Sequence, residues 1–441
     1  MQLRASPHDA LSGAVALPGD KSISHRSLMF AALAVGESRI TGLLEGEDVL
    51  STASALRRMG VPVERHADGT WVVQGVGVGG LAEPEEPLDL GNAGTGARLL
   101  MGLLAGHPFT SFMTGDASLR ARPMRRVIEP LRQMGAAFLA RSGERLPLAV
   151  TGRADLLPLA WESGVASAQV KSAILLAGLH TPGLTTVIEP LPSRDHTERM
   201  LAGMGARVTR EALSGGRVRI GIEGQPELRP QSFRVPGDPS SAAFPAVAAA
   251  ITPGAVVRLE GVGLNPLRTG LYTTLAEMGA DIAVDNRREE AGEEIGDITV
   301  RGSALVGVEV PPGRAPSMID EYPVLAVAAA FARGRTVMRG LGELRVKESD
   351  RLSLMAEGLA ACGVDVMVEG DDLIVEGGRQ PAGGALIDAH LDHRIAMSFL
   401  VLGGRAAAPV TVQGAETIET SFPGFASLMT GLGARIGAVA P

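Results

Sequence analysis

Lysine is nearly missing from this chain of 441 residues: 38 of its 41 basic residues are arginine, and three, Lys21, Lys171 and Lys347, are lysine. Cysteine is scarcer still. Cys362 stands alone, which excludes an intrachain disulfide and fits a reducing cytosol. Fourteen aromatics leave little for base stacking. A net charge of −8 argues against nucleic acid or a membrane surface as partner, although a local basic pocket can still bind a small anion. Apolar runs such as 324-VLAVAAAFA-332 fall far below the roughly 18 residues that suggest a membrane span. The N-terminal stretch has no apolar signal-peptide core. A soluble, cytoplasmic protein without nucleic-acid or membrane partners is expected, and the length predicts two domains. The eight histidines show no metal-ligand spacing, so no metal is expected.

What the chain does have is repetition. The segments 56-LRRMGVPV-63, 131-LRQMGAAF-138, 201-LAGMGARV-208, 275-LAEMGADI-282, 359-LAACGVDV-366 and 429-MTGLGARI-436 each read as a helix end, a glycine and the start of a strand. Their glycines are 75, 70, 74, 84 and 70 residues apart, the mark of a duplicated supersecondary unit. In step with them run six Ala- and Leu-rich helices, beginning near residues 22, 92, 167, 238, 320 and 392. They are apolar nearly all round, as fully buried helices are, and each is led by Ser, Asn or Asp as a cap. Each unit reads as βαβαββ. The last unit is one strand short, and the spare N-terminal strand 11-LSGAVALPG-19 is expected to complete it. The division expected is 20–235 for one three-repeat domain and 1–19 plus 236–441 for the other, with crossovers near 19 and 235.

Buried helices leave polar chemistry to their N-termini, where free N–H groups favour anions. Lys21, Ser22 and Arg26 lead the first helix; Asn92, Gly94, Thr95 and Arg98 the second; Ser167, Gln169 and Lys171 the third. Asp320 and Glu321 lead the fifth, and Asp392, His393 and Arg394 the sixth. The strings 120-RARPMRR-126 and 345-RVKESDR-351 add bidentate donors and carboxylates. Ser22, Ser167 and Asp392 read equally as plain caps, Gly94 as a tight turn, Arg126 as a solvated face, and Lys171 as a residue that packs or pairs. Cys362 fills a slot that is methionine or leucine in the sister repeats, so it reads as a small core residue. Lysine has one property arginine lacks, an ammonium whose pKa burial can move.

These motifs resemble the 5-enolpyruvylshikimate-3-phosphate synthase family over essentially the whole chain: 18-PGDKSISHR-26, 91-GNAGTGAR-98, 119-LRARPM-124, 167-SAQVKSA-173, 345-RVKESDR-351 and 392-DHRIAM-397. The variants 193-SRDHTE-198 and 236-PGDPSSAAFP-245 resemble its second, bacterial class. The resemblance implies a two-domain inside-out α/β barrel of six βαβαββ repeats, three per domain, around a cleft that closes on substrate. It implies transfer of the enolpyruvyl group of phosphoenolpyruvate to the 5-hydroxyl of 3-phosphoshikimate, in the shikimate pathway to aromatic amino acids. By resemblance, Lys21, Ser22, Arg26, Ser167, Gln169, Arg194, Asp320 and Lys347 hold 3-phosphoshikimate. Lys21, Gly94, Arg122, Gln169, Arg351 and Arg394 hold phosphoenolpyruvate. Asp320 takes the hydroxyl proton, and Glu348 with Lys21 serves the methylene carbon. No cofactor is implied, and a monomer is expected. Glyphosate is implied to share the phosphoenolpyruvate pocket while extending slightly further, so alanine at 94 is expected to hinder it more than the substrate.

Many members of that family carry a lysine where this chain has Thr420, in 419-ETSFPGF-425, so one expected ligand contact is absent. Three other readings compete. An enolpyruvyl transferase acting on UDP-N-acetylglucosamine typically carries a reactive loop cysteine. A non-catalytic phosphate-binding repeat protein has no need of Asp320 and Glu348 beside lysines. A solenoid interaction protein spreads its polar residues along a face rather than at helix starts.

Overall fold

The computed structural model describes residues 1–290 and 292–439. The chain divides into two compact units. The middle unit comprises Lys21–Val235 with Glu290–Glu293, and the terminal unit Met1–Asp20, Pro236–Glu289 and Glu294–Pro441.

Among the described residues, each unit contains three four-stranded sheets built to one pattern. In every sheet one edge strand runs parallel to its neighbour, which pairs antiparallel with the next strand in. The six glycines that mark the repeats, Gly60, Gly135, Gly205, Gly279, Gly363 and Gly433, all have positive φ. That left-handed turn ends a helix and releases the next strand, and glycine adopts it without a Cβ penalty.

The spare strand differs from expectation. Gln2–Ser6, not the segment 11–19, completes the last repeat, lying between Val410–Gln413 and Arg435–Ala438. Leu3 and Ala5 face the core while their neighbours are more exposed, which suits an interior strand. Ser12–Ala16 is small and mostly exposed, and it takes the edge beside Val256–Gly263. Ser232–Arg234 similarly pairs with Val35–Thr41. The strand ahead of the first helix of each unit therefore stays in the sheet of the unit the chain is leaving.

The six buried helices are Lys21–Leu33, Gly94–Ala105, Ala168–Gly178, Pro239–Ala250, Tyr322–Phe331 and His393–Gly403. All residues of the fourth and sixth are buried. Burying each Leu or Val side chain contributes about 1.5–3 kcal/mol. Ser167, Asp238 and Asp392 cap their helices through side chains. The expected cap fails at the second and fifth helices, where Ala93 and Glu321 occupy the position without a side-chain cap bond. Asn92, one residue earlier, has other partners. Cys362 is fully buried in the core of the terminal unit, and burial pushes its thiol up to about 11, so it is a packing residue. No helix of the described residues is long and apolar enough to cross a membrane.

Candidate active site

In the middle unit, Lys21 opens the first buried helix with Nζ 2.8 Å from Asp48 Oδ2. Asp48 is buried in the first turn of the helix Glu47–Arg58. Arg26, one turn beyond Lys21, is 2% exposed. Its Nε donates to Thr197 Oγ1 at 2.8 Å, its Nη2 to Ser172 Oγ at 2.9 Å and its Nη1 to the Ser22 carbonyl at 2.9 Å. It thereby fixes the start of the first helix against the third and against the helix His196–Gly203.

The second and third helix starts meet through Gln169. Arg98 Nη1 donates to Gln169 Oε1 at 2.6 Å, and Gln169 Nε2 donates to Thr95 Oγ1 at 2.9 Å. These bonds orient the amide. Arg122, 6% exposed, donates through Nη2 to Asn92 Oδ1 and to Ser118 Oγ at 3.2 Å. Asn92 Nδ2 in turn donates to Asp116 Oδ2 at 2.7 Å. A carboxylate can only accept here, so Asp116 forces the Asn92 carbonyl oxygen toward Arg122. A Cβ on Gly94 would lie 2.6 Å from Arg122 Nη1, so the bare backbone at 94 is what lets that guanidinium lie across the helix start.

Lys171 pairs rather than faces a ligand. It is 2% exposed, with Nζ 2.8 Å from Glu198 Oε1 and 3.0 Å from Glu189 Oε2. Burial alone would pull its pKa down, but Glu198 and Glu189 outweigh that and raise it above the ordinary value. Lys171 Nζ also donates to the Ser193 carbonyl at 3.3 Å, and Ser193 Oγ donates to Glu189 Oε1 at 2.5 Å. The segment leading into half-buried Arg194 is held this way. Lys171→Arg is expected to keep turnover near wild type while costing about 1–3 kcal/mol of stability, because a wider cation must enter a filled slot. Thermal melts beside turnover of the folded enzyme check this; a large loss of kcat at unchanged Tm would give Lys171 a direct role.

In the terminal unit Asp320, Lys347, Glu348, Arg351 and Asp392 converge. Asp320 Oδ1 lies 3.2 Å from Arg351 Nη1 and 3.4 Å from Lys347 Nζ. Arg351 Nη2 is 2.6 Å from Glu348 Oε2, and its Nε is 2.8 Å from Asp392 Oδ2. Arg351 is wholly buried, and burial opposes its charge, yet Asp392, Glu348 and Asp320 raise its pKa above the ordinary range. Its fork is shared among three carboxylates, so an anionic ligand reaching it must displace one of them. The Arg394 backbone N–H donates to Oδ1 of the Asp392 cap at 2.9 Å, and its Nη1 donates to the Asp320 carbonyl at 3.2 Å. Thr420 Oγ1 donates to the Thr417 carbonyl at 2.8 Å and lies 3.4 Å from His393 Nδ1. A hydroxyl stands there in place of a cation.

Sequence reasoning passed over the residues that hold these groups: Asp48 beside Lys21, Asp116 behind Asn92, Thr197 and Ser172 around Arg26, Glu189 and Glu198 around Lys171. None lies in a spaced motif with its partner. Among the described residues, no group of three or more His, Cys, Asp or Glu is arranged to hold a metal ion.

The family model for EPSP synthase (3-phosphoshikimate 1-carboxyvinyltransferase) matches residues 5–429. The chain belongs to the EPSP synthase family. It is 62% identical over 433 residues to the 3-phosphoshikimate 1-carboxyvinyltransferase of Parvibaculum lavamentivorans, covering 98% of this chain and 96% of that protein. It is 63% identical over 434 residues to the enzyme of that name from Paramagnetospirillum magneticum, covering 98% and 97%. Among solved structures, an EPSP synthase from Acinetobacter baumannii superposes with a TM-score of 0.86 at 46% identity, covering 99% of this chain and 100% of that one. The enolpyruvyl transferase NikO from Streptomyces tendae shares the fold at 20% identity, with a TM-score of 0.79 over 100% of this chain and 99% of NikO. The fold of this EPSP synthase family member is therefore the two-domain inside-out α/β barrel of the enolpyruvyl transferases.

Proposed function

We propose that this chain transfers the enolpyruvyl group of phosphoenolpyruvate to the 5-hydroxyl of 3-phosphoshikimate, giving 5-enolpyruvylshikimate 3-phosphate and phosphate. The observation that carries the reading is the cluster at the fifth helix start. There Asp320 sits between Lys347 and Arg351, and Glu348 lies against the same guanidinium. Lys347 and Arg351 orient the Asp320 side chain, and a carboxylate held this way is a group that can accept a proton. In the reaction Asp320 takes the 5-hydroxyl proton as that oxygen attacks C2 of phosphoenolpyruvate. Glu348, with Lys21, delivers a proton to C3. The tetrahedral intermediate stays free of the protein; loss of a C3 proton then expels phosphate and restores the double bond.

The substrate assignments are those that the family resemblance implies. Ser22, Arg26, Ser167, Gln169, Arg194 and Lys347 hold 3-phosphoshikimate together with Lys21 and Asp320. Gly94, Arg122, Gln169, Arg351 and Arg394 hold phosphoenolpyruvate with Lys21. Backbone N–H groups and forked guanidinium donors suit both anions. The protein acts as a cytoplasmic monomer without nucleic acid. The test is phosphate release with each substrate omitted in turn. Release that requires both supports the reading; release with UDP-N-acetylglucosamine in place of 3-phosphoshikimate overturns it.

Gly94→Ala tests the second helix start. The added methyl must push Arg122 Nη1 aside from 2.6 Å, so KM for phosphoenolpyruvate should rise several-fold. The inhibition constant of the longer glyphosate should rise by a larger factor. Equal factors for both would mean that Gly94 sets general access and does not discriminate.

A further inference from the structure

Arg268 lies outside every assignment made so far. It sits in 264-LNPLRTG-270, between the strand Val256–Gly263 and the helix Gly270–Glu277, and is 2% exposed. Asn265 shapes the turn that aims it: Oδ1 accepts from Leu267 N at 2.9 Å, and its carbonyl accepts from Arg268 N at 2.8 Å. Arg268 Nη1 then reaches Asp20 Oδ2 at 2.6 Å, and Nη2 reaches Asp238 Oδ1 and Ser240 Oγ, each at 2.9 Å.

Asp20 and Asp238 end two copies of one tripeptide, 18-PGD-20 and 236-PGD-238. The copies lie side by side, with an antiparallel bridge between Gly19 and Gly237. Asp20 N donates to the Pro236 carbonyl at 2.8 Å, and Asp238 N to the Pro18 carbonyl at 3.0 Å. Asp20 immediately precedes Lys21, and Asp238 caps the fourth buried helix. Ser240 passes the link onward by donating to Glu321. Glu321 Oε1 is 3.9 Å from Arg394 Nη1, and Glu321 follows Asp320 directly.

We propose that Arg268 is a positioning residue for the reaction: it locks the two PGD segments together and, through Ser240 and Glu321, sets Asp320 and Arg394. The proposal rests on the function proposed above. Burial opposes the Arg268 charge, but Asp20, Asp238, Glu321 and Asp320 hold it ionised above the ordinary arginine range. Without it, the buried carboxylates Asp20 and Asp238 lose their shared cation, the link through Ser240 to Glu321 is released, and Arg394 is the guanidinium left beside Glu321. Arg394 is then drawn from phosphoenolpyruvate. A lysine can keep the charge but cannot span two carboxylates and a hydroxyl as a planar fork does.

The experiment compares wild type, Arg268→Gln, Arg268→Lys and the charge-balanced Arg268→Gln/Asp20→Asn, all as full chains. Arg268→Gln is expected to raise KM for phosphoenolpyruvate and lower kcat, each by about tenfold or more, with 3-phosphoshikimate affinity within about threefold of wild type. Six of the eight residues assigned to 3-phosphoshikimate belong to the middle unit, whereas Arg268, Asp20, Asp238 and Ser240 belong to the terminal unit. Arg268→Lys should recover part of the loss. The amides of 236–242 and 320–324 should exchange faster in Arg268→Gln. Unchanged kinetics, or kcat, 3-phosphoshikimate affinity and Tm all collapsing together, would overturn the proposal. Full recovery in the double variant would also overturn it, because Arg268 would then only neutralise acid. The exchange measurement needs no turnover: an inactive wild type would refute the reading of function and leave exchange to decide whether the two segments are locked.

Discussion

Asp320→Asn is expected to bind both substrates and to turn over about 10²- to 10⁴-fold more slowly, the range for loss of a general acid–base group. The amide has nearly the shape of the carboxylate and keeps one oxygen. That oxygen can still accept from Arg351 Nη1, now 3.2 Å away, and Lys347 Nζ, now 3.4 Å away. It cannot take a proton from the 5-hydroxyl. Arg351 retains Asp392 and Glu348 as counter-charges, so the cluster should not collapse when Asp320 is neutralised. Calorimetry with 3-phosphoshikimate, followed by turnover measured on the same sample, separates the two roles. Failure to bind would make Asp320 a positioning group, and wild-type turnover would remove it from the mechanism. Glu348→Gln should behave alike for a different reason, since it loses the proton meant for C3.

The repeat was legible because its glycines must take positive φ at each helix end, and a residue under that constraint leaves a visible period. The helix starts were legible because all-apolar helices leave their polar residues at one end. What escaped were the partners of the site residues. Asp48, Asp116 and Arg268 reach their targets through the tertiary fold, and in sequence each is one acid or one arginine among dozens. The misplaced spare strand has a plainer cause. Both 2–6 and 12–16 look extended, and only the buried pair Leu3 and Ala5 marks the first as the interior strand. Lys171 was open between pairing and binding because its two carboxylates, Glu189 and Glu198, lie 18 and 27 residues away.

Of the three lysines, Lys171 is accounted for by a buried slot with two acids, which leaves Lys21 as the sharper test. Lys21→Arg is expected to fold normally and lose about 10²-fold or more in kcat/KM. The fold should survive because the charge is kept: an arginine at 21 can still pair with Asp48, whose Oδ2 lies 2.8 Å from the present ammonium. The side chain of Lys21 is 17% exposed and that of Asp48 5%, so a wider head has some solvent to move into. Catalysis should not survive. A guanidinium stays protonated at any working pH, so it cannot share a proton with the methylene carbon. Its planar fork also turns toward the carboxylate bidentately, which draws the charge from the helix start where both substrates are assigned. Circular dichroism and Tm establish the fold, and separate KM values for the two substrates show whether binding or chemistry is lost. Near-normal turnover in Lys21→Arg would mean that the position needs a positive charge and nothing more, and Lys21 would leave the list of proton-handling groups.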